Sequence, residues 1–188
     1  MKNMIGSIIG VVVGTASLVL LLGVTPPIYP EPFQAMAFLL FGGELLEETI
    51  PAILSIPEMV PYLATWLLIG AIISVFSQRG WNTVRSVLWV AFISGLLSLV
   101  STVLILPSFW SSPSRNLDLI ILFSRMILVS MLTLPSAYPL TLLKERMRRR
   151  AEKPIPKAIE SQCECGAVFR SNPILCSECG RILRDPGD

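Results

Sequence analysis

Hydrophobic residues fall in four long runs, and polar residues collect between and after them. The runs are 4–24, 57–77, 84–106 and 117–143. The first has no charge, and the last has only Asp118 and Arg125. About 20 mostly apolar residues, wound as a helix, cross some 30 Å of hydrocarbon. Each run therefore predicts a transmembrane helix. The first is longer than the usual 7–15 apolar residues of a signal peptide, and no small-x-small cleavage pattern precedes Thr25-Pro26-Pro27, so it is expected to stay.

Between the first two runs lies a fifth apolar stretch of another kind. Residues 33–46 are too apolar for a free loop, but Glu44, Glu47 and Glu48 are too charged for a span. An interfacial or re-entrant helix is expected, with the glutamates on a solvated outer face. The alternatives are a fifth span and a cation held by the carboxylates.

Composition divides the chain in two. It is 53% hydrophobic and 15% charged overall. Residues 1–143 hold five basic and six acidic residues; the last 45 hold ten and seven. A membrane domain over 1–143 is expected, then a basic segment and linker over 144–157, then a small domain over 158–188. Basic residues also orient the spans, because they concentrate on the cytoplasmic side. Lys2 precedes the first run, the next connection has no Lys or Arg, the second has Arg79 and Arg85, and Lys144 follows the fourth run. Both termini are thus expected in the cytoplasm of a cell-membrane protein. Lys144, Arg146, Arg148, Arg149 and Arg150 are expected to contact anionic lipid. Nucleic acid is not the expected partner, since no aromatic residue interleaves this run.

Small residues mark helix contacts. Gly6, Gly10 and Gly14 repeat every fourth residue, and Ser94, Ser98 and Thr102 share a face with Ala91 and Gly95. Such stripes fit packing within the bundle or between two copies of the chain, through Gly6, Gly10 and Gly14. Arg125 is expected to snorkel to the outer interface, toward Asp118 seven residues earlier on the same helix face. Pro135 and Pro139 predict a kink.

The chain has no histidine, which excludes His-based triads and His-ligated metal sites. Its four cysteines form two close pairs, Cys163-x-Cys165-Gly166 and Cys176-x-x-Cys179-Gly180. Four thiolates so spaced suit a structural, tetrahedral Zn²⁺; iron is the alternative, and a reducing cytoplasm argues against disulfides. Residues 158–183 resemble the short zinc-ribbon family. That resemblance implies two cysteine knuckles joined by a hairpin, its strands at Val168-Phe169 and Ile174-Leu175 and its turn at Ser171-Asn172-Pro173. The first pair departs from the family in being C-x-C, not C-x-x-C.

The expected fold is thus an all-α membrane protein, a four-helix transmembrane bundle with a β-rich zinc ribbon after it. The expected function is a membrane-anchored interaction or adaptor module with an unidentified cytoplasmic partner. A small transporter or channel subunit is the alternative. An enzyme is disfavoured, because Glu44, Glu47, Glu48 and Glu58 could act as bases only if the outer segment folded back over the membrane.

Overall fold

The computed structural model describes residues 2–77, 80–151, 161–170 and 173–183. Arg79, Lys153, the Pro154-Ile155-Pro156 spacer, and Ser171 and Asn172 of the expected turn lie outside them. The chain forms two compact units, residues 1–149 and 150–188.

The first unit is helical. Four helical stretches are long and apolar enough to cross a membrane: Lys2–Leu22, Ile56–Phe76, Gly80–Ile105 and Arg115–Arg150. In chain order the helices are α1 (Lys2–Leu22), α2 (Ala37–Glu47), α3 (Thr49–Leu54), α4 (Ile56–Phe76), α5 (Gly80–Ile105), α6 (Arg115–Ser130) and α7 (Leu134–Ala151). A 3₁₀ turn, Met131–Thr133, joins the last two. Pro135 lacks the N–H that would bond the Met131 carbonyl four residues back, so the ladder tightens and Leu134 N–H takes that carbonyl. The irregularity thus sits just before the first proline.

Small residues set the packing. Gly6, Gly10 and Gly14 lie against Phe76, Ile73 and Ile69 of α4 in the same chain. Gly95 admits the Phe123 ring, which joins α5 to α6, and Gly70 lies against Thr133 and Ser136. Val11, Leu18, Trp66, Ile69, Val87, Val90 and Met126 fill the centre.

The segment expected to be interfacial or re-entrant forms two consecutive helices, α2 packed against α1 and α5, and α3 packed against α4. Gly42 meets the backbone of Thr15 on α1, and Gly43 meets Leu97 and Ser98 on α5. Thr15 lies seven residues before the end of α1, and Ser98 seven before the end of α5. At 1.5 Å per residue both contacts are about 10 Å inside the bundle. An interfacial helix would lie across its end. Trp66 of α4 donates Nε1–H to Thr49 Oγ1 at 2.9 Å and ties down α3.

The second unit is a small β-containing module. Ser161–Gln162 (β1) pairs antiparallel with Val168–Phe169 (β2), and Leu175 bridges Ile182. This corrects the expected hairpin: Val168-Phe169 pairs back across the first knuckle, and Leu175 pairs across the second. Each cysteine pair closes its own short hairpin.

Candidate functional site

Each knuckle is a tight turn that ends in glycine. In the first, Gly166 N–H bonds Cys163 O at 2.8 Å, and Cys163 N–H bonds Ala167 O at 2.9 Å. In the second, Gly180 N–H bonds Cys176 O at 2.9 Å, and Cys176 N–H bonds Arg181 O at 2.8 Å. The first turn therefore closes one residue sooner, as its C-x-C spacing requires. Gly166 (φ +94°) and Gly180 (φ +71°) take the left-handed conformation that ends both turns and that a side chain would strain.

The turns bring four sulfurs together. The Sγ atoms of Cys163, Cys165, Cys176 and Cys179 all lie within 4.8 Å of one another. Cys163 Sγ is 3.4 Å from Cys179 Sγ, and Cys165 Sγ is 3.6 Å from Cys176 Sγ. A disulfide needs about 2.05 Å, so these are not bonds. Four ligands at the corners of a tetrahedron fit the separations. Cys163 and Cys176 are buried and the other two exposed, so one side of the cluster faces out. The exposed Glu164 and Arg181 form an ion pair between the two knuckles.

Backbone N–H groups aim at the sulfurs. Those of Cys179 and Glu178 hold the Cys176 thiol down to about 7 from an ordinary 9.0. Arg181 N–H also pulls on Cys179, but the adjoining Cys163 and Cys176 sulfurs outweigh it and push that thiol up to about 12. Four sulfurs this close share protons when no cation is bound. A bound metal ion replaces those protons and lets all four ionise. The donor set and the inward N–H groups therefore fit a metal.

The helical unit holds a second polar assembly. Ser98 Oγ donates to Glu47 Oε2 at 2.5 Å, and Ser101 Oγ donates to Glu44 Oε2 at 2.7 Å. Tyr29 lies 2.7 Å from Ser101 Oγ; the serine proton is committed to Glu44, so the tyrosine donates. Arg125 Nη1 stands 3.8 Å from Glu47 Oε1. Its helix starts ten residues earlier, at Arg115, so Arg125 is about 15 Å from that end.

Two expectations change here. Glu44 and Glu47 are half-buried against α5, not on a solvated face; only Glu48 is exposed. Arg125 reaches Glu47 of α2, while Asp118 accepts from Ser114 Oγ at 2.8 Å. Ser94 and Thr102 bond the Val90 and Ser98 carbonyls of their own helix. Ser101, which the sequence reading passed over, belongs to the network. It lies seven residues after Ser94 and three after Ser98, on one helical face.

Comparison with protein-family models, with curated proteins and with solved structures finds no match for this chain.

Proposed function

We propose that this is a multi-pass cell-membrane protein that carries a structural zinc ribbon on its cytoplasmic side as a docking module for a cytoplasmic partner. The convergence of four sulfurs within 4.8 Å on two glycine-ended knuckles, in a unit distinct from the helical one, supports this reading most strongly. Zn²⁺ with Zn–S bonds near 2.3 Å spaces its sulfurs about 3.8 Å apart, close to the separations in the cluster. With four protein ligands its coordination is full, so Zn²⁺ would supply folding energy here, not catalysis. Too few residues surround the cluster to build a sufficient apolar core.

The alternation of basic residues between connections supports cytoplasmic termini. The run from Lys144 to Arg150 would then lie at an anionic leaflet. The test is affinity capture with the full-length protein in native membranes, beside a Cys163→Ser/Cys176→Ser variant. A partner that copurifies with the wild type and is lost in the variant agrees with an adaptor. An identical set of partners from both contradicts it.

A second reading, a small transporter or channel subunit, draws on Glu47, half-buried beside Ser98, and on Arg125 next to it, since ionisable groups in membrane helices often mark transport paths. Liposome flux that survives Arg125→Leu and Ser98→Leu unchanged would remove that support.

A further inference from the structure

Three helices meet in a groove at the end of the bundle where α4 finishes and the basic run of α7 begins. It measures about 400 Å³ and is lined by Lys2 and Ile5 of α1, Val75 and Phe76 of α4, and Lys144 of α7. None of these is acidic. Glu145, the nearest acid in sequence, is engaged by Arg149 at 2.6 Å. Gly6 brings α4 close to α1 beside the groove, because its missing Cβ leaves room for Phe76 one turn from Lys2. Lys144 donates one N–H to the Val75 carbonyl at the end of α4, which holds its ammonium over the groove. An ammonium has three N–H donors, so others remain for a ligand.

The lining has two chemical halves. Two ammonium groups stand at the rim. Ile5 and Val75, both exposed, continue as an apolar wall along the helices. A free anion would use only the first half, and a neutral lipid only the second. We propose that this groove is a binding site for one anionic phospholipid, its phosphate between Lys2 and Lys144 and an acyl chain along Ile5 and Val75. This differs from diffuse attraction by the basic run, because it needs Lys2, far away in sequence, and an apolar wall. It rests on the reading of the helices as bilayer-spanning.

Native mass spectrometry of the full-length protein, released from detergent with phosphatidylglycerol or phosphatidylcholine of the same chains, tests it. Each basic residue beside anionic lipid is worth about fivefold, so Lys2→Gln/Lys144→Gln should lose roughly 30-fold in phosphatidylglycerol retention. Arg146→Gln/Arg150→Gln, with the same charge loss, should change it by less than about threefold. Ile5→Trp fills the apolar half, keeps both charges and should also lose retention; it decides the matter if the double lysine variant does not fold. Equal retention in the lysine or Ile5→Trp variants overturns the site. So does an equal loss in the arginine variant, or displacement of the lipid by inorganic phosphate, which would make it a site for free anions. Carbonate extraction of the membranes separates the two levels: release of the protein defeats the bilayer reading, while retention without lipid preference defeats only the groove.

Discussion

Gly42→Ala should destabilise the helical unit, although alanine is the better helix former. A Cβ at this position would stand 2.5 Å from Thr15 Cβ and 2.8 Å from Thr15 Cα and its carbonyl oxygen. Carbon atoms settle at about 3.5–4.0 Å, so α2 must retreat by about 1 Å. Retreat has its own cost, because Glu47 and Glu44 hold Ser98 and Ser101 from the same helix. Alanine gains about 1 kcal/mol in helix propensity. Overpacking against backbone costs about 1–3 kcal/mol, and each strained hydrogen bond to a carboxylate puts about 1.5–3 kcal/mol at risk. A net loss near 2 kcal/mol follows, about 30-fold in the folded-to-unfolded ratio. Gly10→Ala is the control. Its Cβ would meet Ile73 Cγ2 at 3.3 Å and Ile69 Cγ2 at 3.4 Å, methyl groups that can yield. That variant should fall between neutral and about 1 kcal/mol more stable. Unfolding of the full-length protein by dodecyl sulfate in mixed micelles, followed by tryptophan fluorescence, measures both; buried Trp66 reports on the α2–α3 segment through Thr49. A Gly42→Ala protein as stable as wild type, or no weaker than Gly10→Ala, would refute the reasoning.

In the same assay Ser98→Ala should cost about 1.5–3 kcal/mol, since it removes a 2.5 Å hydrogen bond to the Glu47 carboxylate. Arg125→Leu should cost less than Ser98→Ala, because its nearest nitrogen stands 3.8 Å from Glu47, beyond hydrogen-bond distance. Cys176→Ser should abolish metal binding and open the small unit, and leave the unfolding midpoint of the helical unit unchanged, the outcome expected of two units that unfold independently. Acid should release the metal before base does, because protons compete with the cation for the four thiolates. A chromophoric chelator added across pH 5–9 should therefore report release on the acid side.

The four long helices are legible because hydrocarbon imposes a length and a charge limit that local sequence must meet. Their starts shift by only a few residues, as α5 does in starting at Gly80 rather than residue 84, while the last continues past residue 143 to Arg150. The α2–α3 segment is visible as a stretch too apolar for a loop, but not its depth, which depends on Gly42 and Gly43 meeting α1 and α5. Arg125 shows the same limit. Helical periodicity offers Asp118 on its own helix; the actual counter-charge, Glu47, comes from another helix 78 residues earlier. The four sulfurs are legible because the motif is local, two close pairs each ending in glycine. The strands of the small unit are not, because Ser161-Gln162 carries no alternation or β-branching to mark it as the partner of Val168-Phe169.

Elemental analysis of the freshly purified full-length protein tests the central claim most directly. About one zinc per chain, absent from a variant with all four cysteines changed to serine, is the result the four-thiolate ribbon predicts. Zinc far below one per chain, or zinc that persists in the serine variant, would contradict it.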